Sequence, residues 1–347
     1  MRKKVKYFNM VLMNSLFFIF FFQGTLVEAG NNLITVYPVL PTNQIDKKLS
    51  YFDLKVKPGD EQKLDLILQN NDTKDKNLEL EINPATTGAS GNIVYTATNE
   101  SKEKDTKVMT LPDIAKVKPK LKVKAGEEKK VTIEMKVPNT SFEGIILGGI
   151  NIKEEAEKNE EVTTNAGLSP KFSHSIAIQL REGDKLPDPN IELKDVSAIS
   201  EYGKNRVTLQ LENTTPVLID HLTYQAFVRK VGSKEVLIHE EQKDYRLAPN
   251  SMFDFKMDWN QDEIKAGHYL LNLVVTENKI KKDWSFEKEF IVSEEDANKF
   301  NAESVNAIRK KKKTKIIVVI LVLVISALVA VTIYLFLKSS KKKSGRS

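Results

Sequence analysis

Residue types that usually carry chemistry are sparse in this chain and poorly spaced for it. Four histidines, His174, His221, His239 and His268, each fall in or beside a run of alternating apolar residues. None has a second histidine at metal-ligand spacing or a nucleophile motif beside it, so all four read as structural or solvent-exposed side chains. The densest carboxylate group, KEEAEKNEEVTTNAGLSP over 153–170, lacks apolar neighbours that would raise a pKa, and reads as a solvated loop. Cysteine is absent, which excludes thiol catalysis, Cys-ligated zinc and redox chemistry. No nucleophile elbow, phosphate loop, dinucleotide fingerprint or calcium loop is present. The reading is a non-enzyme with no catalytic residue, cofactor or metal.

Binding chemistry has better candidates. In KVKPKLKVK, Lys116, Lys118, Lys120, Lys122 and Lys124 alternate with apolar residues, so a strand would place five ammonium groups on one face. That is either an edge strand guarded by lysines and a proline, or a basic ridge suited to anionic wall polymer or peptide carboxylates. In GIILGGINI, Gly144, Gly148 and Gly149 surround an apolar run and predict a bulge or a close approach of a ligand or another backbone. Trp259, Trp284, Phe253, Phe255 and Phe286 fit the core side of strands.

Strands must position these residues. Apolar side chains recur at every second position from about residue 33 to 292, as in Leu64, Leu66, Leu68 and Val207, Leu209, Leu211, with Pro, Gly, Asn and Asp between runs. The order repeats: QKLDLILQNND corresponds to NRVTLQLENTT, and KKVTIEMKVP to SMFDFKMDWN. The prediction is an all-β chain of two tandem immunoglobulin-like β-sandwiches, 30–185 and 186–293, joined at GDKLPDPN. A rival cut uses the acidic stretch near 160 as the linker. Residues 294–315 lack alternation and predict a helical or loosely ordered stalk.

Both ends differ from this body. Residues 1–29 combine Arg2, Lys3, Lys4 and Lys6 with an apolar stretch and Val27-Glu28-Ala29, the pattern of a secretory signal peptide. Residues 316–337 are uncharged and apolar, long enough at ~1.5 Å per residue to cross a ~30 Å hydrocarbon core as one transmembrane helix. Lysines crowd both sides of it, so the signal decides the orientation: the β domains outside, and 338–347 as a basic cytoplasmic tail. The chain's net charge of +6 comes from these ends; residues 30–308 hold 38 basic against 46 acidic side chains, which removes the case for nucleic acid. No LPxTG signal precedes the apolar run.

YFDLKVKPGDEQKLDLILQNND, followed by FEGIILGGI and later APNSMFDFKMDWNQDEIKAGHY, resembles the WxL-interacting protein family of Gram-positive cell surfaces. The resemblance implies a first domain that binds peptidoglycan and a second that binds host extracellular or other surface proteins, with WxL-domain proteins in the same assembly. Tyr51, Phe52, Gly59, Gly144, Gly148 and Gly149 match its pattern and are contact or conformational positions. It also implies a domain cut near the acidic stretch, against the strand count. The expected role is adhesion: tethering a surface complex to wall and membrane. A wall-polysaccharide hydrolase or transferase, and a membrane-anchored chaperone for exported proteins, are the alternatives.

Overall fold

The computed structural model describes residues 34–97, 108–155, 173–259, 263–304, 316, 317, 319–326 and 328. The expected signal region and most of the acidic stretch lie outside the described residues. In chain order the first strands are β1 (Ile34–Val39), β2 (Phe52–Lys55), β3 (Glu61–Asn70), β4 (Lys76–Pro84), β5 (Thr86–Thr87), β6 (Ile93–Val94), β7 (Ala115–Lys116), β8 (Lys120–Val123), β9 (Glu128–Lys136), β10 (Ile146–Glu154) and β11 (Ser173–Arg181). Next come β12 (Ile191–Glu201), β13 (Lys204–Asn213), β14 (Ile219–Lys230), β15 (Val236–Leu247), β16 (Ser251–Asp258), β17 (Gly267–Glu277) and β18 (Lys282–Val292). The protein is all-β in its described body, as the alternation predicts.

Two cores organise these strands. Sheet β1-β3-β9-β7 packs against sheet β2-β11-β10-β4-β8 around one core. Sheet β12-β13-β16 packs against β15-β14-β17-β18 around the other. Period-2 placement does this: Leu64, Leu66 and Leu68 of β3, and Val207, Leu209 and Leu211 of β13, are all buried while their neighbours face outward. Phe253, Phe255, Trp259 and Trp284 are buried in the second core and Phe286 packs against it, as their spacing predicts.

The stretch YFDLKVKPGDEQ does not form a hairpin. Phe52, Leu54 and Val56 point into the first core from one sheet, and the chain turns at Gly59 (φ 80°) to begin β3 in the opposite sheet. A left-handed φ costs glycine little, and the turn is closed by Asp60 N–H donating to Lys57 O at 3.1 Å. Strand β2 instead pairs in parallel with β11, and β11 pairs antiparallel with β10. Thus Ser173–Arg181 is hydrogen-bonded into the first sandwich.

The internal correspondence extends to buried polar groups. Asn70 ends β3 and Asn213 ends β13, both fully buried. Asn70 Nδ2 donates to Lys74 O and Lys124 O at 2.9 Å, and Asn213 Nδ2 to Val217 O at 2.7 Å and Ala248 O at 3.0 Å. Each Oδ1 accepts a backbone N–H two residues on, from Asp72 and Thr215. One side chain therefore closes the turn after the same strand in each sandwich.

After β18, Glu294–Glu303 is a helix capped by Ser293, whose Oγ accepts from Asp296 N–H at 3.0 Å. Ala297 enters the second core, and Asn301 exchanges hydrogen bonds with the backbone of Ile264 at 2.9 and 2.8 Å. Residues 294–303 are thus helical, within the expected 294–315 segment, and lie against the second sandwich; 305–315 lies outside the described residues. The described residues of 316–328 are helical and expose their apolar side chains. Among the described residues no helix is long and apolar enough to cross a membrane, and much of 316–337 lies outside them.

Candidate binding surfaces

The lysine run is not one strand, which corrects the five-ammonium ridge. Lys116 belongs to β7 in one sheet, opposite Glu134 on β9, whereas Lys120 and Lys122 belong to β8 in the other. Pro119, which has no N–H to give a ladder, lies at the crossing, where its carbonyl accepts from Leu80 N–H at 2.8 Å. Lys120 is paired with Glu155 at 2.5 Å and Lys122 with Asp75 at 3.0 Å. Lys116, Lys118 and Lys124 have no ion-pair partner among the described residues. The run's charge is divided between two sheets and partly neutralised.

The three glycines serve close packing rather than a bulge: β10 keeps an uninterrupted register with β11 and β4. A Cβ on Gly148 would stand 2.6 Å from Asn83 O and from Leu111 Cβ, and one on Gly149 2.7 Å from the Tyr95 ring and 2.8 Å from Ile176 O. Gly144 has φ 76°, and a Cβ there would stand 2.2 Å from Pro216 O of the second sandwich. FEGIILGGI thus brings a second backbone against the first sandwich.

The two sandwiches meet along a seam at this point. The β5–β6 hairpin turns through Gly88 and Gly91 and lies along the second sandwich: Arg246 N–H donates to Gly91 O at 2.8 Å and Ala248 N–H to Thr87 Oγ1 at 3.0 Å. Ile145 N–H donates to Pro216 O at 2.7 Å. Ala85, Ile145, Leu147 and Ala248 form a small buried cluster between the two large cores, with Ile93, Tyr95 and Leu218 against it. The GASGN turn signal is visible in the sequence; that its hairpin docks on the other domain is not, because the partners are remote in the chain (Thr87 to Ala248, 161 positions).

Beside the seam, the family-pattern residues separate by role. Phe52 is core and Gly59 is conformational, its N–H donating to Pro138 O at 2.9 Å. Tyr51 is partly buried, and its carbonyl accepts from Gln44 Nε2 at 3.0 Å. Next to it, buried Asp53 accepts from Gln179 Nε2 at 2.9 Å and faces Arg181 at 3.6 Å. Burial and then the nearby Asp53 raise the Tyr51 phenol's pKa, against Arg246 and Arg181. Burial, with Tyr51 nearby, pushes Tyr95 up to about 12, again opposed by Arg246. Both phenols stay protonated at neutral pH.

The histidines are dispersed. His239 stacks on Phe227 with centroids 4.5 Å apart, His221 lies 3.5 Å from Asp220, His268 is on β17, and burial lowers the pKa of His174 on β11. Among the described residues no three His, Asp or Glu side chains gather to hold a metal ion.

Two sandwiches joined along a seam define a class: a two-domain all-β protein. Residues 34–154 match the family model of the WxL Interacting Protein peptidoglycan binding domain, and residues 163–302 that of the WxL Interacting Protein host binding domain. The chain belongs to the WxL-interacting protein family. The second match begins before β11, whereas hydrogen bonding places β11 in the first sandwich. No curated protein matches the chain. Among solved structures, slight likenesses run to a chaperone–tip adhesin complex of CFA/I fimbriae (9% identity, 75% of this chain and 98% of that one, TM-score 0.29). Another is the CsuC–CsuE chaperone–tip adhesion subunit complex of Acinetobacter baumannii (12% identity, 73% and 97%, TM-score 0.30).

Proposed function

We propose that the chain is a non-enzymatic surface protein that holds peptidoglycan with its first sandwich and WxL-domain or host proteins with its second. The observation that carries this reading is the pair of family matches, in that order, over two separate cores. We place the domain boundary near 186, because β11 is laddered to β10 and β2. The apolar run 316–337 anchors the chain in a membrane as a single pass, with 1–29 as the export signal and 338–347 inside. Anchoring raises the effective concentration of the sandwiches at the wall, so weak contacts suffice for retention. Lys116, Lys118 and Lys124 are the members of the lysine run free to meet anionic wall groups, with Tyr51 offering a phenol beside the seam.

Purified residues 30–308 are expected to co-sediment with isolated peptidoglycan at low salt, and the first sandwich to carry that binding. Recovery of the protein entirely in the supernatant would overturn the reading. Release of soluble glycan fragments would favour a hydrolase instead.

A further inference from the structure

The outer face of the β12-β13-β16 sheet carries a recess of about 220 Å³. Its floor is central strand β13, where Thr208 and Gln210 point away from the core. Thr208 is 9% exposed, and its Oγ1 has no hydrogen-bond partner among the described residues. A buried hydroxyl without a partner is costly to the fold, so its position at the floor of an open recess points to a ligand group. Around it stand Ser197 and Ile199 on β12 and Asp254 and Lys256 on β16.

A β-bulge shapes the far rim. Leu193 pairs with Leu211, but the next residue of β13, Gln210, pairs with Asp195. Lys194 is the extra residue, and it turns to Glu212 and Glu192 at 2.9 and 3.2 Å. Without the bulge, lysine would stand beside Gln210; with it, a carboxylate does. Bulges re-aim side chains in this way.

We propose that this recess is a binding site for one neutral saccharide ring, a site beyond the wall and protein contacts proposed above. The lining selects that chemistry. Asp195 and Asp254 on opposite sides of Gln210 oppose an anion. Lys256, although paired with Glu201 at 3.0 Å, opposes a cation. Acceptors on the carboxylates and donors on Lys256, mixed with hydroxyl and amide groups that do both, match a ligand whose hydroxyls both donate and accept. Ile199 supplies an apolar surface for the C–H face of a ring. The volume is below the ~300 Å³ at which pockets for drug-sized ligands begin, so one ring fits better than a chain.

The first sandwich supplies an internal control. Asp65 occupies the place on β3 that Thr208 occupies on β13, five residues before the buried asparagine, and there the polar group is satisfied within the chain. Thr132 Oγ1 donates to it at 2.6 Å and Lys130 Nζ at 2.9 Å. The second sandwich leaves the corresponding site open.

The test is saturation-transfer NMR and calorimetric titration of the full chain in detergent, with N-acetylglucosamine as a wall-type sugar and galactose as an animal-glycan type. Binding of either at millimolar concentration is expected, and which one binds identifies the source of the saccharide. Thr208→Val and Asp254→Asn are each expected to weaken it about tenfold. Neither is expected to lower the unfolding midpoint, since the Thr208 hydroxyl and the Asp254 carboxylate have no side-chain partner among the described residues. No transfer from either sugar at about 10 mM would overturn the proposal. So would binding that both variants leave intact, or displacement of the sugar by methylguanidinium, which would mark a cation site.

Discussion

The two sandwiches are built on one plan and differ where they face outward. Each has a three-strand core motif, β1-β3-β9 or β12-β13-β16, and each closes its central strand with a buried asparagine. On the outer face, Asp65 is tied to Thr132 and Lys130, while the Thr208 hydroxyl has no partner among the described residues. Groups that hold a turn are kept in both copies, and groups that meet solvent have diverged. Shared architecture thus comes from burial and backbone satisfaction, whereas binding capacity comes from outward positions that the fold leaves unconstrained.

The largest expected effects come from breaking what the copies share. Asn70→Ala and Asn213→Ala each remove several side-chain hydrogen bonds from a buried turn, and each is expected to destabilise its sandwich by roughly 2–4 kcal/mol. Denaturant unfolding, followed by Trp259 and Trp284 fluorescence for the second sandwich and by amide exchange for the first, would measure this. The pair also tests the comparison, because Asn213 holds Ala248 at the seam while the Asn70 amide bonds only within the first sandwich, to Lys74, Val123 and Lys124. Asn213→Ala is therefore expected to loosen domain coupling as well, and equal behaviour of the two variants would contradict that difference.

The seam comes next. Gly144→Ala sets a Cβ 2.2 Å from Pro216 O at a φ of 76°, so the second sandwich must shift. A penalty of about 1–3 kcal/mol is expected, and the two sandwiches should then melt as separate calorimetric transitions. A single unchanged transition would mean that the sandwiches are coupled by something other than this contact. Gly148→Ala, which meets Asn83 O and Leu111 within the first sandwich, should destabilise without separating them.

How much of the molecule is legible in its sequence depends on the range of each interaction. Leu64, Leu66, Leu68 and their counterparts reveal strands and cores because burial acts at period 2 within one strand. The repeat of QKLDLILQNND in NRVTLQLENTT locates two structurally matched asparagines. The lysine run misleads because alternation persists across a change of sheet: Lys116 and Lys120 keep period-2 spacing although the chain crosses at Pro119 between them. The glycines read as bulge or close approach, and only the position of Pro216, remote in sequence, decides for close approach at Gly144. The recess is illegible for the same reason. Thr208 reads as one more outward polar residue until the bulge at Lys194 and the register of β16 place Asp195, Asp254 and Lys256 around it.

The smallest expected effect isolates the outward difference by pH. The Thr132 hydrogen bond, and then Lys130, hold the pKa of Asp65 below its ordinary carboxylate value in the folded state. A depressed folded pKa contributes stability that is fully present above the unfolded value, and the contribution is lost as pH falls through the folded pKa. The stability difference between wild type and Asp65→Asn should therefore be constant above about pH 5 and shrink below about pH 4. Partial exposure of Lys130 and Asp65 screens their pairing, so raising salt should narrow that difference too. Thr208→Val, at the corresponding place, removes no titrating group and should run parallel to wild type across the same range. If instead the Asp65 difference held flat to acid, Asp65 would be no more engaged than Thr208, and the contrast between a satisfied and an open outer face would fail at its first sandwich.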